Sequence, residues 1–187
     1  MPPLILASAS PRRRALLREH SYDFQVIPAD VTEVAPPHLT PREITLFNAR
    51  AKAHAIARSH PEAIVLGVDT VVEFEGEIFG KPADLRAAFT MVRRLTGKTH
   101  EVYSGVWICH RASQREKGFV EITRVHFRRL TDAQIRAYHA SIHPLDKAGA
   151  YAAQDDNGEL IDRVEGSFSN VIGLPMDALA DALREFA

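Results

Sequence analysis

Two serines and three arginines lie close together near the start of the chain. Residues 8–14 are Ser-Ala-Ser-Pro-Arg-Arg-Arg and follow a short apolar stretch. Ser10 is placed to cap a helix whose first residue is proline. The arginines repel the positive end of that helix, and a bound anion would relieve the repulsion by meeting guanidinium and backbone N–H groups. The segment predicts an anion site; the alternative is a capped helix whose arginines point into water.

An acidic residue lies within the most apolar strand pattern of the chain. Residues 64–72 are Ile-Val-Leu-Gly-Val-Asp-Thr-Val-Val, which predicts a strand covered on both faces. A carboxylate in such a strand must be paired, bound to a metal or protonated. Gly67 shares the face of Asp69 and leaves room beside it for a bulky group. Asp69 is either functional or a structural carboxylate bonded to backbone N–H groups.

Two lysines can supply positive charge to a bound anion. Lys52 falls among the apolar positions of a predicted helix, where an unpaired ammonium is unfavourable. It either meets an anion or reaches water from the edge of the apolar stripe. Lys81 lies in Gly-Lys-Pro at residues 80–82, and the proline favours an extended backbone before it. Lys81 either contacts a phosphate or lies in a solvated turn.

Two stretches late in the chain, at residues 149–154 and 166–175, are rich in glycine and small residues. Loops of this kind let a backbone approach a flat ligand closely. Gln154 can both donate and accept hydrogen bonds, which suits recognition of a base edge. The alternative for each stretch is turn chemistry without a ligand.

Composition excludes several classes of protein. The chain has 187 residues, a formal net charge of −1 and 45% hydrophobic residues, which is ordinary for a globular protein. Balanced charge disfavours a nucleic-acid coat and an anionic-membrane binder, so we expect neither partner. The single Cys109 excludes an internal disulfide, and a cytoplasmic location is consistent with it. No apolar run approaches the ~20 residues that span a membrane.

Helix and strand patterns alternate along the chain and predict a single α/β domain over residues 1–187. The clearest helix begins at a capping box formed by Thr40 and Glu43 and runs to about His60. Predicted strands are residues 4–7, 24–28, 64–74, 77–79, 99–110 and 116–129. Further predicted helices are residues 12–20, 84–95, 131–141 and 176–186, with irregular structure and strand pieces over 149–171.

Together these segments resemble the Maf family of nucleoside triphosphate pyrophosphatases. The resemblance covers almost the whole chain, and the order and spacing of short motifs carry it. The motifs are residues 8–13, 49–53, 67–72, 80–82, 95–100, 146–151, 154 and 171–175.

The resemblance implies a fold and a reaction. The implied fold is a long, bent, mixed β-sheet flanked by helices, with a cleft between two lobes, related to the inosine triphosphate pyrophosphatases. The implied reaction is hydrolysis between the α and β phosphates of a nucleoside triphosphate, with a divalent cation (Mg²⁺ or Mn²⁺) as cofactor. The resemblance also implies a homodimer.

The resemblance assigns roles to individual residues. By the motif match, the proton acceptor falls on Asp69, and the specificity positions fall on Arg12, Thr70 and Gln154. The subgroup that acts on dTTP and UTP carries Ser-Pro-Arg-Arg and Asp-Thr, as this chain does, whereas the 7-methyl-GTP subgroup tends to differ there. The implied substrates are therefore dTTP and UTP. Further matched active-site positions are Arg13, Glu33, Lys52 and Lys81.

The resulting hypothesis is metal-assisted attack of water on the α-phosphorus. Asp69 deprotonates the water, and Asp69 and Glu33 hold the metal. The residues expected around the triphosphate are Ser8, Ser10, Arg12, Arg13, Lys52 and Lys81. Three alternatives remain: a 7-methyl-GTP pyrophosphatase, a phosphatase that removes the terminal phosphate, and a nucleotide-binding cell-division regulator with little catalysis.

Overall fold

The computed structural model describes residues 2–186, and these form six α-helices and seven strands. The strands are β1 (Leu4–Leu6), β2 (Phe24–Val26), β3 (Ile64–Phe74), β4 (Glu77–Phe79), β5 (Thr99–His110), β6 (Arg115–Phe127) and β7 (Ile161–Glu165). The α-helices are α1 (Pro11–Glu19), α2 (Pro41–Ala57), α3 (Leu85–Leu95), α4 (Asp132–Ser141), α5 (Phe168–Ile172) and α6 (Met176–Arg184). Short 3₁₀ helices lie at Pro144–Asp146, Ala148–Ala150 and Ala153–Asp155. Across residues 2–186, no helix combines the length and apolarity needed to cross a membrane.

The predicted α/β class and mixed sheet are confirmed. The strand order is β2-β1-β3-β5-β6-β7, and β4 pairs with β3. β1 runs parallel to β2 and β3, whereas β4 and β7 pair antiparallel with β3 and β6. The register sets Leu6 beside Leu66. The residues that follow β1 therefore run alongside the part of β3 that contains Asp69.

Most predicted elements are confirmed to within a few residues. At the start of α2, the Glu43 backbone N–H donates to Thr40 Oγ1 and the Thr40 N–H donates to the Glu43 carboxylate. This is the predicted capping box, and α2 ends at Ala57 rather than His60. The prediction lacks α5, whose five residues are too few to show a helical repeat.

The described chain divides into two compact units, each discontinuous in sequence. The first contains the described residues up to Thr70, Ser104–Glu121 and the described residues from Gly173 onward. The second contains Val71–Tyr103 and Ile122–Ile172. A single domain over residues 1–187 stays a prediction, and its two terminal residues lie outside the described part of the chain.

Each unit buries an apolar cluster of its own. The cluster in the first unit includes Ile5, Ala7, Ala53, Ile56, Val65 and Cys109. The cluster in the second unit includes Phe74, Phe79, Leu95, Phe127, Tyr138 and Tyr151. Burial of this apolar surface is the main favourable term in forming each unit.

Two glycines allow α2 to lie directly against the sheet. A Cβ atom on Gly67 would lie 2.0 Å from the Ala49 carbonyl oxygen, and one on Gly105 would lie 2.4 Å from the Thr45 carbonyl oxygen. Only residues without a side chain fit at these contacts. The room predicted beside Asp69 is therefore filled by the backbone of α2.

Candidate active site

Asp69 is held by two residues of one helix. It lies in β3 and is 5% exposed. Lys52 Nζ donates to Asp69 Oδ1 at 2.8 Å, and Asn48 Nδ2 donates to Asp69 Oδ2 at 3.1 Å. Positions 48 and 52 are four residues apart on α2 and so share a face of the helix. The carboxylate is paired, as its apolar strand requires, and both of its oxygens are hydrogen-bonded.

Lys52 joins two acidic residues from different parts of the chain. Its Nζ lies 2.7 Å from Glu33 Oε1 and 2.8 Å from Asp69 Oδ1, and it also donates to the Val68 carbonyl at 3.2 Å. The three protons of the ammonium thus have three acceptors. Lys52 therefore does not reach water from the edge of the apolar stripe. Its ammonium is buried and meets anions, which are carboxylates of the protein itself.

Asn48 fastens the loop that carries Glu33 to α2. The Val34 backbone N–H donates to Asn48 Oδ1 at 3.0 Å, and Asn48 Nδ2 donates to the Val34 carbonyl at 3.0 Å. Val34 follows Glu33 directly in the sequence. The side chain of Asn48 therefore connects the loop, the helix and, through Asp69, the strand.

Arg13 is the centre of a second set of hydrogen bonds. Its Nη1 donates to Ser8 Oγ at 3.0 Å and to the Val68 carbonyl at 3.2 Å. Its Nη2 donates to Thr70 Oγ1 at 3.0 Å, and its Nε donates to the Gly173 carbonyl at 2.9 Å. A guanidinium has five N–H donors, so most of those of Arg13 are taken by the protein itself.

The electrostatic surroundings of Arg13 include both signs of charge. Burial lowers the pKa of its guanidinium to about 10; Arg12 lowers that pKa further, while Asp69 and Glu33 raise it. At neutral pH Arg13 is therefore still charged. Its positive charge faces the acidic pair and repels that of Arg12.

The hydroxyl of Thr70 is engaged by the protein. It accepts from Arg13, lies 2.9 Å from Ser104 Oγ and donates to the Gly173 carbonyl at 3.5 Å. A hydroxyl offers one donor and two acceptor positions. These contacts use most of that capacity, so a direct bond from Thr70 to a base edge would require one of them to open.

The two serines order the start of α1. Ser10 Oγ accepts from the Arg13 backbone N–H at 3.5 Å, which is the predicted N-cap. Ser8 Oγ accepts from the Ser10 backbone N–H at 3.3 Å. Arg12 lies on the same first turn and is partly buried. The first turn of α1 has no acidic residue, so positive charge gathers there as the sequence indicates.

Lys81 and Gln154 belong to the second unit. Lys81 is exposed and lies between β4 and α3, next to Gly80, whose carbonyl accepts from the Gly149 backbone N–H at 3.2 Å. Gln154 is exposed, and its Nε2 donates to Asp155 Oδ2 at 3.1 Å. The structure brings together the other matched residues in the first unit: Ser8, Ser10, Arg12, Arg13, Glu33, Lys52, Asp69 and Thr70.

Asp69 and Glu33 fit a hard divalent cation. Both carboxylates reach the same ammonium, and Mg²⁺ is commonly held by one or two carboxylates together with substrate phosphates. Within residues 2–186, no three His, Cys, Asp or Glu side chains are grouped to hold an ion. The donor set therefore suits a cation that shares its ligands with a phosphate group.

Sequence reasoning misses two residues of this site. Asn48 is 4% exposed and contacts Asp69, while Ser104 is fully buried and contacts Thr70. Asn48 falls on the inward face of α2, four residues before Lys52, and this spacing is the signal that points to it. Ser104 gives no comparable signal, because a buried serine in a strand has many ordinary hydrogen-bond partners.

Comparisons with known sequences indicate one family, and a comparison with solved structures adds a similar fold. The family described as Maf-like protein matches residues 3–186. A dTTP/UTP pyrophosphatase of Pelotomaculum thermopropionicum is 44% identical over 186 residues, covering 100% of this chain and 97% of the relative. A dTTP/UTP pyrophosphatase of Salinibacter ruber is 45% identical over 183 residues, covering 97% of this chain and 90% of the relative. A HAM1 protein from Coxiella burnetii is similar in fold, with a TM-score of 0.53 and 13% identity. The match covers 99% of this chain and 100% of the HAM1 chain.

Proposed function

The chain belongs to the Maf-like protein family, and on that premise we propose that it hydrolyses dTTP and UTP to the nucleoside monophosphate and pyrophosphate. Relatives that match it over nearly their whole length carry the name dTTP/UTP pyrophosphatase. The observation that carries the proposal is the cluster in which the buried ammonium of Lys52 pairs with the buried Asp69 and with the half-exposed Glu33. An acid held in this way, beside a source of positive charge, suits the activation of water for phosphoryl transfer.

The phosphates bind at the start of α1 in this proposal. Backbone N–H groups and hydroxyls at a helix start are a ready anion site, and Ser8 and Ser10 supply the hydroxyls. Arg12 contacts the phosphates, whereas Arg13 orders the site through its bonds to the protein. Lys81 stays assigned to the phosphates by the motif match alone.

Asp69 is the proposed general base. It accepts a proton from water, the water oxygen attacks the α-phosphorus, and the bond from that phosphorus to the bridging oxygen breaks with pyrophosphate as the leaving group. Lys52 keeps Asp69 oriented and offers positive charge to the transition state. When bound to Asp69 and Glu33, Mg²⁺ or Mn²⁺ would neutralise phosphate charge.

Pyrimidine selectivity is proposed for Arg12, Thr70 and Gln154. Because the Thr70 hydroxyl is bonded to Arg13 and Ser104, we propose that Thr70 acts by shaping the pocket rather than by reading a base edge. Values of kcat/KM for dTTP, UTP, CTP and 7-methyl-GTP test the assignment. A preference for 7-methyl-GTP would overturn the selectivity and leave the reaction type standing.

Product analysis tests the reaction itself. With dTTP and Mg²⁺, we expect dTMP and pyrophosphate; dTDP with phosphate would indicate a terminal phosphatase. Nucleotide binding without any product would indicate a regulator.

Asp69→Asn tests the general base. Because general-base assistance contributes roughly 10²–10⁴-fold, the kcat of the variant should fall by at least about 10²-fold. Its melting temperature and circular dichroism should still be those of a folded protein. Asp23→Asn makes the same change at an exposed position and should leave kcat unaltered. A folded Asp69→Asn variant with the kcat of the parent would remove Asp69 from this role.

Two further proposals concern assembly and location. We propose a homodimer located in the cytoplasm, with neither nucleic acid nor membrane as a partner. Analytical ultracentrifugation tests the assembly, and cell fractionation tests the location. A monomer at micromolar concentration, or recovery in the membrane fraction, would contradict these proposals.

A further inference from the structure

From its contacts we infer that Asn48 is a positioning residue, which sets the orientation of Asp69 and the placement of the loop that carries Glu33. The inference rests on the proposed function for its catalytic meaning. Asn48 is 4% exposed, and both hydrogens of its Nδ2 have acceptors, Val34 O at 3.0 Å and Asp69 Oδ2 at 3.1 Å. Its Oδ1 accepts from the Val34 N–H at 3.0 Å. The amide therefore has no donor to spare for any other task.

The loop before α2 depends on this amide for its position. Residues 28–40 contain neither helix nor strand, so no regular ladder of backbone hydrogen bonds fixes them. At Val34, both the backbone N–H and the carbonyl bond to one side chain of α2. Glu33 directly precedes Val34 in the sequence, so the two bonds at Val34 fix the backbone next to Glu33. Loss of both bonds would therefore loosen the placement of the Glu33 carboxylate beside Lys52.

The orientation of Asp69 depends on the same amide. Lys52 holds one carboxylate oxygen and Asn48 holds the other. With both oxygens bonded, the carboxylate plane is fixed, and so is the direction of the lone pairs left for a proton or a cation. Loss of the bond from Asn48 would leave a single contact, about which the carboxylate can turn. Asn48 thus aligns the two acidic groups that the proposed reaction uses.

The test compares a truncation with a change of the same shape. In Asn48→Ala, all contacts of the amide are lost; in Asn48→Asp, the size is kept but the Nδ2 donor becomes an acceptor that faces Val34 O and Asp69. Thr45→Val is the control, because Thr45 lies on the same helix, is fully buried, and its hydroxyl donates to the carbonyls of Pro41 and Arg42. Steady-state kinetics with dTTP and hydrogen–deuterium exchange over residues 28–40 are measured for each variant.

For Asn48→Ala we expect kcat to fall by about 10–100-fold, the scale expected of a misplaced reacting group, with KM for dTTP changed less than about threefold. We also expect faster exchange over residues 28–40. Asn48→Asp should lose at least as much kcat, since donors rather than shape are required. Thr45→Val should keep both the kcat and the exchange pattern of the parent.

Several outcomes would overturn the inference. One is a folded Asn48→Ala variant with parental kcat and loop exchange; another is an Asn48→Asp variant as active as the parent. If Asn48→Ala does not fold, Asn48→Ser carries the same expectations. If the parent itself releases no pyrophosphate from dTTP, the proposed function fails, but loop exchange still decides whether Asn48 holds residues 28–40.

Discussion

Replacement of Gly67 by alanine tests whether the contact between α2 and β3 sets the geometry around Asp69. The added methyl group would lie 2.0 Å from the Ala49 carbonyl oxygen, 2.7 Å from the Ala53 backbone nitrogen and 2.9 Å from the Ala53 Cβ atom. None of these atoms belongs to a flexible side chain that could turn aside. Because ordinary contact begins near 3.4 Å, α2 must move away from β3 by about 1.4 Å, or the strand must bend.

The size of the effect follows from this displacement. Overpacking of a core typically costs about 1–3 kcal/mol, and we expect the upper end because backbone must move. A loss of about 3 kcal/mol lowers the Tm of a chain of this size by about 6–12 °C. The same shift would lengthen the bond of 2.8 Å between Lys52 Nζ and Asp69 Oδ1 beyond hydrogen-bond range. We therefore expect kcat to fall by roughly 10²-fold.

Calorimetry and dTTP hydrolysis at a temperature where the variant is folded measure the two effects. Gly80→Ala is the control for stability, because a Cβ atom there would have no atom within 4 Å. Its Tm should match that of the parent. The reasoning is refuted if Gly67→Ala keeps both the Tm and the kcat of the parent, since α2 would then not be held at contact distance.

Three further predictions concern charged and titratable groups. Arg13→Lys keeps the charge but not the fork that reaches four acceptors, so the free energy of unfolding in urea should fall by about 2–4 kcal/mol. Burial lowers the pKa of His100 to about 3, whereas the pKa of a His side chain in an unfolded chain is about 6.5. Below about pH 6.5, unfolding therefore takes up a proton on this side chain. This group alone should lower the free energy of unfolding by about 2 kcal/mol from pH 7 to pH 5. His100→Gln should remove this part of the pH dependence. Burial raises the pKa of the Cys109 thiol to about 11, so iodoacetamide at pH 8 should modify the folded protein far more slowly than the urea-unfolded chain.

Each of these predictions has a contradicting result. For Arg13→Lys it is an unchanged urea midpoint. For His100→Gln it is a pH dependence of unfolding that equals that of the parent between pH 5 and pH 7. For Cys109 it is equal reactivity in the folded and unfolded states.

The elements that carry the site are predictable from local patterns. A capping box at Thr40 marks the start of α2, and a mainly apolar run, interrupted by Asp69, marks β3 over Ile64–Phe74. Both signals depend on neighbouring residues in the sequence, where helix and strand preferences act. The same locality lets the sequence identify Asp69 and Lys52 as charges in apolar surroundings.

The connections between these residues are not local and escape prediction. Contact between Asp69 and Lys52 depends on how closely α2 lies on β3, which Gly67 controls. The arginine-rich start of α1 predicts anion binding for Arg13, but the structure uses this side chain mainly to bond the protein to itself, because the Gly173 carbonyl lies within reach. Such long-range contacts leave no periodic trace in the sequence.

Synthesis on the ribosome delivers Arg13 long before Gly173. The two residues are separated by 160 positions, which corresponds to roughly 8–32 s at about 5–20 residues per second. Throughout that interval the guanidinium lacks the carbonyl that completes its set of bonds. The nascent chain therefore cannot present the finished arrangement around β1 and β3 until its final segment emerges, and a product released before Gly173 would leave this arginine without that partner.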